Sequence, residues 1–303
     1  MSIILALILA SEPSAECIQL GFADPCVDVE IARPFLLGTG PSLPFFSLAV
    51  HENGSIAVDW LDGISLIRRS DSGKERLRPS SPGQLMYGLE DGRLLILLPG
   101  REESYQLWSW DGDSRVAKLA EASSAEALAA AVCHAPAPSP TALNGITNVA
   151  CVGKSLIANR ERLDVVIWKS SRWISTGARV GLWGVTNGAQ LILTGEEYDS
   201  AHEALAHFSI PAVKRPKVPI AVSCGSHACW ALNNAREVLV LDLDIPVRQW
   251  RKIGAITGRS YPAIKIQGAN ERAVLTTNES CCPRFYYLGL PARTRDGRDA
   301  GTR

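Results

Sequence analysis

One strand–turn–strand unit returns along the chain, and recurrence of that kind limits the possible folds more than any single motif does. Residues 86–97 (MYGLEDGRLLIL), 182–193 (LWGVTNGAQLIL) and 229–241 (CWALNNAREVLVL) share one order: aromatic, small, aliphatic, polar turn, aliphatic strand. Asp91-Gly92 and Asn187-Gly188 supply the positive φ angles that a tight hairpin turn needs, so each unit predicts a β-hairpin. The third copy carries one extra residue in its turn. Tyr87 and Trp183 lie 96 residues apart, and Trp183 and Trp230 lie 47 apart, so one period near 48 fits both.

Weaker copies fill the gaps at residues 50–58 (VHENGSIAV), around Gly153-Lys154 and around Ala269-Asn270. The widest gap holds an insertion. Residues 121–133 (EASSAEALAAAVC) predict one short helix with a capping box from Ser123 to Glu126, and 134–141 (HAPAPSPT) an extended Pro-rich loop. With that stretch removed, the hairpins fall at the spacing of four-stranded propeller blades. The fold class expected is therefore all-β: a β-propeller of about six or seven short, irregular blades with one short helical insertion. A pair of β-sandwiches is the alternative architecture. The organisation expected is an N-terminal strand or extended segment over 1–40, one propeller over 41–290 with the insertion at 120–141, and a disordered polar tail over 291–303.

Two repeats resemble a known family. Residues 172–188 (RWISTGARVGLWGVTNG), 220–232 (IAVSCGSHACWAL) and the following 249–254 (QWRKIG) are similar to tectonin repeats. The likeness covers roughly 165–255, with a degenerate copy at 84–97. Residues 222–227 (VSCGSH) also resemble repeats of the regulator of chromosome condensation family, which ranks second because its Trp-Gly and Gly-Gln-Leu-Gly signatures are absent. The tectonin resemblance implies either a glycan-binding lectin or a platform in intracellular membrane traffic and autophagy, and it implies no enzymatic activity.

Charge narrows the partners. The 303 residues carry 31 Lys plus Arg against 31 Asp plus Glu, which argues against a general binder of nucleic acid or of anionic membranes. Residues 3–10 (IILALILA) are too short to cross a bilayer, and no basic residue precedes them as in a signal peptide. No transmembrane segment is expected. The eight cysteines mostly sit in apolar runs, so they are expected to be reduced small hydrophobes in a cytoplasmic protein, with secretion as the alternative.

No pattern in the sequence marks a catalytic centre, a cofactor or a metal, and none is expected. Cys224, His227 and Cys229 lack a fourth ligand, and alternation along a strand would put the two sulfurs on opposite faces. A glycosidase would need two convergent carboxylates. The pairs Asp59 and Asp62, Asp111 and Asp113, and Asp242 and Asp244 are the candidates, although Asp62, Asp111 and Asp113 sit in turn-like strings. Trp108 and Trp110 share a strand face and could form an aromatic patch. The binding residues put forward are the local cations Arg68, Arg69, Lys214, Arg215 and Lys217. The reading is thus a non-enzymatic platform for other proteins, engaged through a propeller face or the 120–141 insertion. The alternatives are a secreted lectin, with glycan as ligand, a glycosidase-like enzyme and a nucleotide-exchange regulator.

Overall fold

The computed structural model describes residues 30–32, 45–51, 53, 55–60, 63–68, 74–77, 84–86, 94–99, 104–113, 116–122, 124–161, 163–182, 190–217, 219–255, 265–269, 272–279 and 282–289. Among them are five four-stranded antiparallel sheets and one two-stranded parallel sheet. After β1 (Glu30–Ala32), the first blade runs in chain order through β2 (Phe45–Val50), β3 (Ile56–Trp60), β4 (Gly63–Ile67) and β5 (Lys74–Leu77). The second comprises β6 (Gln84–Met86), β7 (Leu94–Pro99), β8 (Tyr105–Trp110) and β9 (Val116–Ala122). The third comprises β10 (Ile146–Val152), β11 (Ser155–Arg160), β12 (Asp164–Lys169) and β13 (Arg172–Arg179).

The fourth sector holds only β14 (Leu191–Leu193) and β15 (Ala212–Lys214). The fifth blade is β16 (Pro219–Cys224), β17 (Ala228–Asn233), β18 (Glu237–Asp242) and β19 (Arg251–Ala255). In the sixth, β20 (Lys265–Ala269), β21 (Arg272–Glu279) and β22 (Cys282–Gly289) are completed by β1, which pairs with β22. β20 lies against β16 on one side and β2 on the other, and β2 in turn meets β6. The ring closes through these contacts. The chain is an all-β propeller.

Alternation along each strand explains the packing, because successive side chains point to opposite faces and both faces are covered. On β17, Ala228, Trp230 and Leu232 enter the cluster shared with Ile266, Ala273, Leu275 and Leu288 of the sixth blade. Cys229 points the other way, into a cluster with Val213 of the fourth sector. The same logic joins the first two blades, where Ile64 and Leu66 meet Ile96 and Trp110. Trp110 is buried and Trp108 is packed against that cluster, so this pair is an interblade contact rather than an exposed aromatic patch. Trp230 likewise occupies the core, while 183–189, with Trp183 and the Asn187-Gly188 turn, lie outside the described residues.

The hairpin turns follow their sequences. Gly153 opens the two-residue turn between β10 and β11 at φ 58°, and Arg236 takes the extra position of the β17–β18 turn at φ 60°. A three-residue hairpin loop needs such a left-handed residue at its end.

Two further expectations are corrected. The inserted helix, α1, spans Ala125–Val132, and its cap is Ser124, whose hydroxyl accepts from the Ala127 amide, not Ser123. Residues 116–122 are already committed to the β9 ladder, which moves the helix start later. Leu128 and Val132 pack between Leu95 and Leu107 of the second blade and Cys151 of the third, so the inserted helix is wedged between two blades.

The cysteines are not all reduced: Cys133 is bonded to Cys151 and Cys224 to Cys229. Cys224 and Cys229 stand on two strands joined by a tight turn, where they are directly paired, so alternation within one strand does not separate them. The strand at 191–193 pairs in parallel with its successor. A second helix, α2 (Gly195–His207), crosses over to β15, as a parallel pair requires. No helix among the described residues is long and apolar enough to cross a membrane.

Candidate binding groove

The fourth sector creates a site because it has only two strands among the described residues. Helix α2 starts at a capping box, with Thr194 and Glu197 satisfying each other's backbone amides. Its apolar positions Ala201 and Leu205 then lean towards the third blade, where they join Val165, Ile167 and Ala178. The helix therefore covers β13, and on the other side of β15 Val213 packs against Cys229 and Leu241 of the fifth blade.

An open groove of about 540 Å³ runs along that side. Val213, Leu239 and Leu241 give it apolar walls, and Lys214, Arg215, Pro216 and Lys217 form one rim. Arg248, Gln249 and Trp250 form the other rim, on the segment entering β19. The Trp250 indole donates to the Lys214 carbonyl at 2.7 Å and ties the two rims together. Beneath the groove lies the Cys224–Cys229 disulfide, packed with Val213, Leu241 and Trp250.

The charges do not cancel. Lys214 Nζ is bound to Asp199 at 2.8 Å, and Lys252 Nζ to Glu237 at 2.7 Å. Glu237 also accepts from the Asn233 side-chain amide, and the Lys252 ammonium followed by that amide holds its carboxyl below the ordinary 4.5. Glu237 thus stays ionised and spends its charge on Lys252. Arg215, Lys217 and Arg248 line the groove with no carboxylate partner among the described residues. A surplus of cations remains on one lip and across from it. In the loop that carries Arg248, Ile245 is 43% and Val247 66% exposed, which adds apolar contact area beside the cations.

Of the sequence-nominated cations, Lys214, Arg215 and Lys217 come together here. Arg68 follows β4 in the first blade and does not line the groove, and Arg69 lies outside the described residues. The opposite rim was not foreseen. Arg248 and Trp250 stand more than thirty positions along the chain, and only the sheet register brings them across from Lys214.

The carboxylate pairs serve their own turns. Asp111 accepts from the Asp113 amide at 2.9 Å, and Asp242 from the Asp244 amide at 3.0 Å. Asp62 and the side chain of Asp59 lie outside the described residues. Among the described residues no group of three or more His, Cys, Asp and Glu side chains is arranged to hold a metal ion.

No protein-family model matches the chain, and no curated protein matches it. Among solved structures, a chain of the mitotic checkpoint complex is 9% identical, with 96% of this chain and 99% of that one covered, at a TM-score of 0.43. The Cps50 (Swd1) β-propeller domain of Myceliophteria thermophila is 12% identical over 84% of this chain and 99% of that chain, at 0.39. Glutaminyl cyclase of Myxococcus xanthus is 11% identical over 87% and 97%, at 0.35. The architecture rests on the strand pairings themselves.

Proposed function

We propose that this propeller is a non-enzymatic binding platform for other proteins and that the groove between the fourth sector and the fifth blade is its recognition surface. The observation that supports the reading is the gathering there of three cations without carboxylate partners among the described residues, one of them on a loop that also exposes Ile245 and Val247. Charged groups left over from internal pairing steer a partner, and nearby apolar surface holds it. Loops on a rigid ring of blades suit that task.

The test is lysine-directed cross-linking and mass spectrometry on the protein in its native extract. Reproducible cross-links from Lys214, Lys217 and Lys252 to one partner are expected. A protein that sediments alone, or whose cross-links to partners fall evenly on Lys118, Lys154 and Lys169, defeats the proposal.

The tectonin resemblance favours an intracellular setting in membrane traffic, which would need the four bonded sulfurs to remain thiols in the cytoplasm. The two disulfides favour a second reading, a secreted glycan-binding propeller, because such bonds persist in oxidising compartments. Alkylating the protein in its native cells and counting labelled cysteines separates the two. Label on Cys133, Cys151, Cys224 and Cys229 supports the cytoplasmic setting, and its absence the secreted one.

A further inference from the structure

The groove has a directional feature that the platform reading does not use: an open strand edge. On β15, the bonds from Leu191 N to Pro211 O and from Arg215 N to Leu193 O fix which peptide groups face β14. Alternate residues of a strand turn their peptide groups to opposite edges, so Ala212 and Lys214 present theirs to the groove. The Lys214 carbonyl takes the Trp250 indole at 2.7 Å. The Ala212 and Lys214 amides meet no further strand there among the described residues.

We infer that a partner binds by laying an extended acidic segment along β15 as an added strand, its carboxylates directed to Arg215, Lys217 and Arg248. This deepens the platform reading and rests on it. Strand addition to an open edge gives affinity through main-chain bonds and specificity through alternate side chains. Same-face residues of an added strand recur about every 6.6–6.8 Å. Val213 and Arg215 stand two positions apart and share the face turned to the fifth blade, so alternate acidic residues on that face meet Arg215 beside Val213, while the residues between them lie on the side of Lys214. Residues 214–217 carry three cations in four positions, so a neutral or basic strand is disfavoured at the same edge. The balanced charge of the whole chain argues against a general affinity for polyanions.

The probe is a fluorescent twelve-residue peptide with three Glu-Val-Asp-Thr repeats, titrated into the full chain, with amide exchange followed on the complex. Saturable binding is expected, with slowed exchange at Ala212 and Lys214 and little change at Val213, whose amide is already bonded. Reversing Arg215→Glu and Lys217→Glu together is expected to weaken binding by about tenfold or more. A peptide N-methylated at alternate residues should lose binding in one phase of methylation and keep it in the other. The inference is overturned if the peptide does not bind, if exchange at Ala212 and Lys214 is unchanged in the complex, or if a twelve-nucleotide oligothymidine binds equally well. If the charge-reversed protein still cross-links to its native partner, the strand inference falls and the platform stands. If no partner cross-links to the unaltered protein, the platform reading falls.

Discussion

Gly268 on β20 gives the sharpest test of the contact between the fifth and sixth blades. A methyl group built there would lie 2.2 Å from Trp230 Cδ1, 2.6 Å from Cγ and 3.0 Å from Cβ. These atoms are the root of the indole side chain, so rotating its tip relieves nothing. Ordinary carbon contacts begin near 3.5 Å, so the two sheets would have to separate by about 1.3 Å. Trp230 is wholly buried, and Ser223 Oγ donates to the Gly268 carbonyl at 3.1 Å, which holds the strands in place.

Overpacking of this kind costs about 1–3 kcal/mol and more where the backbone must move. An unopposed Gly→Ala change in a compatible strand would instead stabilise by about 0.4–1 kcal/mol. Gly268→Ala is therefore expected to destabilise by about 2–4 kcal/mol, a fall of about 4–8 °C in Tm for a chain of this size. Urea and thermal unfolding, followed by far-ultraviolet circular dichroism, measure it. In a Trp230→Leu background, itself less stable, adding Gly268→Ala should cost under about 1 kcal/mol, because the obstructing ring is gone. A Gly268→Ala protein as stable as the parent refutes the packing described.

The remaining expectations concern bonds and charge. The bond from Cys133 to Cys151 closes an 18-residue separation, and the loop-entropy model gives it about 3 kcal/mol, against about 2 kcal/mol for the five-residue separation of Cys224 and Cys229. Unfolding of Cys→Ala pairs should rank them in that order. Glu237 titrates below the ordinary carboxylate value in the folded chain, so its contribution is present above the unfolded value of 4.5 and lost as pH falls through the folded one. Lys252→Met should raise the Glu237 midpoint, read by carbon-13 side-chain resonances, and an unmoved midpoint denies the pairing.

What the sequence disclosed was the part governed by local chemistry. The Trp230 hairpin is readable because its polar turn separates two aliphatic runs, and its odd length is matched by Arg236 at positive φ. The basic cluster at 214–217 is visible as composition and proves to be a rim. Helix α2 also left a signal that the repeat pattern obscured. Thr194 and Glu197 form a capping box, and Tyr198, Ala201, Leu205 and Phe208 recur at helical spacing. The disulfides and the far rim were not legible in the same way. Which sulfur meets which, and that Trp250 reaches Lys214, depend on sheet register and on the packing of one sector against the next.

The pairing of Glu30 with Tyr287 and of Ala32 with Phe285 joins residues more than 250 positions apart. The last blade cannot acquire its fourth strand until residues 282–289 have left the ribosome. Until then the first blade lacks its neighbour, and β1 stays unpaired and open to any other strand. Vectorial synthesis thus makes ring closure a late, long-range event, in which the earliest segment must be kept waiting for the latest.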